Sequence, residues 1–274
     1  MNNKSRQNGF SLTEVLLATG ILAIGMVMIA MVFPVGVKLA GIATENTIKV
    51  VAANEASAKM RLYGIKPFSD LASWGRPPRD PNTTCTDYQD VSMETTGTEM
   101  PDTEQIYPSL VPQPTEKRYC WSALVRRADP NTDEVQTTVF VCRILSMGVK
   151  YYTITRTPVG YGTVSGNNGT VPVPVKVQVN CAVAGKTITV QTASQSSFFT
   201  EGCMIVEDST GGIYKVVEMK DTNSDGKKET LVLDKDFTLS FPAPLYYVVW
   251  VVPPAVGSNR NPCIDVVQQN PLFQ

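Results

Sequence analysis

From Val15 to Val37 the chain runs without a charged residue, and Val, Leu, Ile, Ala and Met dominate the stretch. At about 1.5 Å rise per residue, a helix of that length covers the roughly 30 Å hydrocarbon core of a bilayer. Residues 15–37 therefore read as a membrane span. The rest of the 274 residues is mixed and polar, which makes it a large body tethered by one segment near its start. Lys4 and Arg6 precede the span, and basic flanks favour a cytoplasmic N-terminus. The body is then expected on the far side of the cytoplasmic membrane. A secretory signal has a shorter apolar core and a small-residue cleavage site. No Ala-x-Ala-like site closes this run, so the segment reads as retained.

Composition narrows the function further. With 24 Lys+Arg against 25 Asp+Glu the net charge is -1, and no basic patch offers a nucleic-acid surface. The chain has no histidine. That excludes a Ser-His-Asp triad, a Cys-His dyad and a His-bearing metalloprotease motif. Walker A, dinucleotide and nucleophile-elbow motifs are all missing from the sequence. The chain reads as a non-enzyme.

One residue breaks the apolar start. Glu14 lies four positions after Phe10, and a carboxylate at the bilayer centre costs roughly 2.5–3.5 kcal/mol on insertion scales. Either it reaches out to the cytoplasmic interface, or it has a partner. The segment Gly9-Phe10-Ser11-Leu12-Thr13-Glu14-Val15-Leu16-Leu17 closely resembles the processing site of type IV prepilins and of the pseudopilins of type II secretion. Those chains carry a short basic leader ending in Gly, then Phe, then Glu four residues after the Phe. The resemblance covers about residues 1–40.

The resemblance implies a leader, 1–9, removed by a prepilin peptidase between Gly9 and Phe10. It also implies methylation of the new Phe10 amine. The positive Phe10 amine of one subunit and the Glu14 carboxylate of a neighbour would then neutralise each other in low dielectric and set helix register. A glycine without Cβ lets a protease reach the backbone. One departure is that major pilins usually carry a proline at the place of Met31, whereas here the only proline of the span is Pro34. Pro34 either bends the helix or marks the membrane exit.

Beyond Lys38 a partial apolar stripe (Leu39, Ile42, Ile48, Val51, Ala52, Ala56, Met60) predicts helix to Tyr63, with Gly64 as a C-cap and Pro67 as a stop. The N-terminal helix is expected over 10–63, roughly 80 Å at about 1.5 Å per residue, with its Ala-rich second half facing a sheet. Pro, Thr and Asp mark 65–118 as a long surface loop. Strands are expected at Tyr119–Arg126 and Val135–Leu145, joined at Asp129-Pro130-Asn131-Thr132. Later strands follow at Val175–Val179, Thr187–Val190, Met204–Asp208, Ile213–Lys220, Glu229–Leu233 and Leu245–Val252. The fold class is α+β: a long N-terminal helix on an antiparallel pilin-like sheet (64–157), then an additional β-rich module (158–274).

Six cysteines in a body placed outside the cytoplasm favour disulfides, and the lack of a CxxC pair disfavours a zinc ribbon. Centring the hairpin near Asn131 sets Cys120 opposite Cys142. Cys181–Cys203 and Cys85–Cys263 are the pairs assigned from what remains, with buried free thiols as the alternative. Asp221, Asn223, Asp225, Gly226 and Glu229 match the first half of a calcium loop, but Val232 occupies the place of its bidentate Glu. A weak Ca2+ site and a plain Asp-Gly hairpin turn both fit. The near-continuous apolar run Tyr246–Val252 predicts a strand buried on both faces.

The expected role is a structural subunit, a minor pilin or pseudopilin of a type IV pilus or type II secretion filament. Its partners are the prepilin peptidase, other pilin or pseudopilin subunits and the membrane, with no nucleic acid. Its places are the inner membrane and then the filament. The alternative is an adhesin-like pilin whose β-rich module recognises a surface ligand.

Overall fold

The computed structural model describes residues 11–63, 89–90, 102–108, 118–127, 135–145, 148–155, 163–181, 185–222, 224, 226–238 and 246–269. The chain divides into two compact units, Met1–Ile48 and Lys49–Gln274. One helix, α1 (Leu12–Tyr63, 52 residues), carries Pro34 in its interior without ending there.

Up to Ile48, α1 has no buried residue, and Leu16, Ile21, Ile29 and Phe33 are each more than 60% exposed. It is the one described helix long and apolar enough to cross a membrane. Thr19 donates its hydroxyl to the Val15 and Leu16 carbonyls at 3.0 Å, so the polar side chain inside the apolar run is satisfied by the helix itself.

In the second unit the remainder of α1 changes character. Ala52, Ala53, Ala56 and Met60 are at most 2% exposed, a stripe at helical spacing. They pack on Trp121, Ala123, Val125, Val139 and Val141. Small side chains let the helix axis approach the sheet closely. Lys49 Nζ lies 3.0 Å from Asp265 Oδ2, and Lys59 Nζ lies 3.2 Å from Glu55 and 3.0 Å from Glu104.

The sheet beneath comprises β1 (Gln89–Asp90), β2 (Ile106–Tyr107), β3 (Tyr119–Arg127), β4 (Val135–Arg143) and β13 (Cys263–Gln269). Its order is β1-β3-β4-β13, with β2 also on β3, and all pairings are antiparallel. Two of these strands, β1 and β2, fall within 65–118, which was expected as loop. Gln105, just before β2, is buried. The turn expected at 129–132 lies outside the described residues, but the hairpin register is the expected one, with Cys120 opposite Cys142.

A separate hairpin joins β5 (Tyr151–Ile154) to β6 (Val164–Gly169). The strands β7 (Val175–Asn180), β8 (Thr187–Val190), β9 (Met204–Glu207), β10 (Ile213–Lys220), β11 (Thr230–Leu233) and β12 (Tyr247–Val251) close into an antiparallel barrel in the order β7-β8-β11-β10-β9-β12. Closure removes the exposed strand edges that invite aggregation. Alternate residues of β7 (Val175, Val177, Val179) and β12 (Tyr247, Val249, Val251) fill the barrel. The other residues of β12 turn outward. Trp250 and Val252 meet Leu124, Phe140, Cys142 and Val266 on the sheet face opposite α1. The sheet is thus covered by helix on one side and barrel on the other, and β12 is covered on both faces as its apolar run predicts.

Polar groups lock the barrel to the sheet. The buried Glu207 carboxylate accepts from the backbone and hydroxyls of Ser209 and Thr210, holding the turn between β9 and β10. Arg126 on β3 donates to the Ser209 and Thr210 carbonyls of that turn, and Gln268 on β13 donates to the Gly211 carbonyl. Nearby, Trp250 Nε1 donates to Asp208 Oδ1 at 2.6 Å, and Lys176 Nζ sits 3.5 Å from Asp208 Oδ2. Buried charges need such partners.

Candidate functional site

Gly9 and Phe10 lie outside the described residues. The site is visible from Ser11 onward. Ser11 precedes the first helical residue, and the Glu14 N–H faces its Oγ at 3.3 Å. In return the Ser11 N–H donates to Glu14 Oε2 at 3.0 Å. This reciprocal pair is a capping box, which satisfies donors that the helix start leaves unpaired. The acidic side chain in the first turn also complements the positive end of the helix dipole. The sequence reading of Glu14 missed this local partner. Its signature, Ser-x-x-Glu before an apolar run, is printed plainly in Ser11-Leu12-Thr13-Glu14. The contact engages one carboxylate oxygen, and a carboxylate accepts several hydrogen bonds.

No disulfide joins the described cysteines Cys120, Cys142, Cys181, Cys203 and Cys263 to one another, contrary to the disulfides expected from sequence, and all five are buried. Cys85 lies outside the described residues. The physical reason that sequence pairing falls short is visible in the register. Cys142 stands opposite Cys120 on β3 and also opposite Cys263 on β13, so one thiol faces two candidates. The strand β13 was absent from the sequence-based list of strands, which left Cys263 unplaced. Burial and the Cys120 thiol push the Cys142 thiol well above its ordinary value. Cys263 is also raised, by its contact with Cys142 and by burial. Burial pushes Cys203 up to about 12, although a backbone hydrogen bond at Thr200 works the other way. Burial of this kind disfavours the thiolate, which is the reactive form. Cys181 is aimed at the Thr187 carbonyl, 3.9 Å away.

Of the calcium-loop residues, Asn223 and Asp225 lie outside the described set. Asp221 Oδ2 accepts from the Gly226 N–H at 2.8 Å, in the bend between β10 and β11. Gly226 has φ +82, a left-handed conformation that suits glycine. The Glu229 carbonyl accepts from the Val190 N–H at 2.9 Å, which ties β11 to the end of β8. Among the described residues no group of three acidic or cysteine side chains is arranged to hold a metal.

Comparison with curated proteins and with solved structures finds no match for this chain. Residues 4–30 match the family model described as the prokaryotic N-terminal methylation motif. The match takes in Lys4 and Arg6, Gly9, Phe10, the capping box and the apolar run as far as Ala30. The chain therefore carries the N-terminal methylation motif typical of the type IV prepilin and pseudopilin family.

Proposed function

We propose that this pilin-like protein is a minor pilin or pseudopilin, a structural subunit of a type IV pilus or type II secretion filament. A prepilin peptidase cuts between Gly9 and Phe10 and the Phe10 amine is methylated. The processed chain waits in the inner membrane, N-terminus toward the cytoplasm and body outside, before α1 inserts among other subunits. The observation that carries this reading is a matched methylation motif running without interruption into an apolar helix whose membrane-length stretch is not buried by any described residue.

Within that reading Glu14 has two successive partners. In the unassembled subunit its carboxylate is held by the Ser11 N–H. In the filament the cationic Phe10 amine of a neighbouring copy adds to it, because a desolvated ion pair is favourable only when each charge is answered. The role is mechanical rather than catalytic, as pilin-like proteins generally are.

The test is mass spectrometry of the mature N-terminus from the native host. The expected product begins at Phe10 with one methyl group on its amine. A protein that still begins at Met1 overturns the proposal.

A further inference from the structure

We infer that the end of the first sheet where the chain enters the body docks on anionic phospholipid headgroups, through Arg118, Arg143, Lys150 and Arg260. The inference rests on α1 spanning the membrane, as in the function proposed above, and adds a lipid class to it.

The direction of β13 identifies this end. Lys49 Nζ lies 3.0 Å from Asp265 Oδ2, and further on the Ser57 hydroxyl meets the Gln269 side chain. The strand β13 therefore runs alongside the second part of α1 in the same direction. Residues ahead of Asp265, with their neighbours on β3 and β4, lie at the end the chain reaches first after the span. Whatever the tilt of the body, Lys49 is no more than about 18 Å of helix from Val37, at about 1.5 Å per residue. Going back along β13 from Asp265 to Cys263 recovers about 7 Å of that. The polar layer on each face of a bilayer is roughly 5–8 Å deep. Long basic side chains can close what is left.

Four cations gather at this end. Arg143 finishes β4 opposite Tyr119, and Arg118 immediately precedes Tyr119. The Arg118 carbonyl accepts from the Ile144 N–H, and the Pro262 carbonyl accepts from the Arg143 N–H, each at 2.8 Å. Arg260 lies just ahead of Pro262. The Lys150 carbonyl accepts from the Val256 N–H at 2.9 Å, on the segment that leads to Arg260. Beside Lys150, the Tyr151 hydroxyl accepts from the Leu145 N–H at 2.9 Å, just past β4. Arg118, Lys150 and Arg260 are exposed, and Arg143 is half-buried. Burial and the neighbouring Arg260 charge lower the Arg143 guanidinium from its ordinary value.

Acids in the vicinity have partners of their own. Asp265 has Lys49, and Glu201, next to the Gly202 that Asn261 contacts, has Lys228 at 3.6 Å. Guanidinium forks match phosphate oxygens in geometry as well as charge. An anionic bilayer attracts basic groups held within about a Debye length of its surface.

The test uses the full-length chain in nanodiscs of phosphatidylcholine alone, or of phosphatidylcholine mixed with phosphatidylglycerol. Amide hydrogen exchange is read over 256–261. Exchange there is expected to be about tenfold slower in the phosphatidylglycerol discs, with β12 unchanged. High salt is expected to remove the difference. Equal exchange in the two kinds of disc overturns the inference. An equal slowing by inorganic phosphate added to phosphatidylcholine discs also overturns it, since the patch would then take free anions.

The variant Arg118→Gln/Lys150→Gln/Arg260→Gln controls for the charge of the bilayer, which by itself slows exchange near an anionic surface. It is expected to exchange at the phosphatidylcholine rate in both discs. Slowing that survives in this variant comes from the bilayer alone and refutes the docking. Arg260→Gln by itself is expected to lose part of the slowing, and no loss there refutes the docking should the triple variant not fold. A chain that does not co-purify with either disc sinks the membrane span and the docking together. A chain that co-purifies without lipid dependence sinks the docking alone.

Discussion

The two parts of α1 share one backbone and obey opposite rules. Across residues 15–37 the helix carries no charge, and no residue of that stretch is buried by the described residues. From Lys49 the exposed positions mix Asn54 and Arg61 with Val50, Val51 and Leu62, and a buried stripe is built of alanines and one methionine. A helix that is apolar all round needs lipid or other helices as its solvent. An amphipathic helix with a small-residue stripe needs one close sheet. The contrast teaches that the first part is specified for partners outside the chain and the second for the chain itself.

The sharpest way to break this comparison is Glu14→Leu. Leaving a neighbour's amine unanswered in low dielectric is expected to cut filament incorporation by about two orders of magnitude. The urea midpoint of the body stays unchanged. Incorporation at the level of the unaltered protein would refute the role given to Glu14.

Ala56→Leu probes the other part. Overpacking the 0%-exposed site against the sheet is expected to destabilise the body by about 1–3 kcal/mol, read from denaturant unfolding. An equal loss from the same change at exposed Ala30 would remove the distinction between the parts.

The thiol contribution to alkaline pH dependence belongs to the body, because α1 contains no cysteine. In the reduced chain the Cys203 thiol moves from an ordinary value of 9.0 to about 12 on folding. Below pH 9 both states hold the proton and the stabilisation is complete. Above it the unfolded state sheds the proton first, so stability falls through the window from 9 to about 12. The slope is about 1.4 kcal/mol per pH unit for one such thiol. Unfolding midpoints at pH 8, 9 and 10 measure it. A flat profile would show that the thiol is not shielded.

The mildest test is Ser11→Ala, which removes half of the capping box. A loss of about 1 kcal/mol in local helix stability is expected, seen as faster amide exchange at the start of α1 and not beyond Ile48. Incorporation persists, since Glu14 is retained.

The sequence made the second part of the molecule only partly legible. Strands with a clean apolar pattern, such as β8 and β10, fall at Thr187–Val190 and Ile213–Lys220 as expected. The run at Tyr246–Val252 announced burial on both faces, though not which two cores would cover it. By contrast β6 is Val164–Gly169, a stretch of Ser, Gly and Asn whose extended form comes from pairing with β5, not from its own preference. The strand β13 pairs with β4 from the far end of the chain, a contact that no local pattern encodes.

By itself, the sequence determined what is local: the charge-free span, the Gly9-Phe10…Glu14 motif, the cap written in Ser11 and Glu14, and the strands whose periodicity is strong. These depend on residues within a few positions of one another. Tertiary structure decided the closure of six strands into a barrel, the return of β13 to the first sheet and the alignment of Cys120, Cys142 and Cys263. Those features arise from pairings between segments far apart in the chain, where backbone hydrogen bonds are indifferent to residue type and only the joint burial of two cores selects the register.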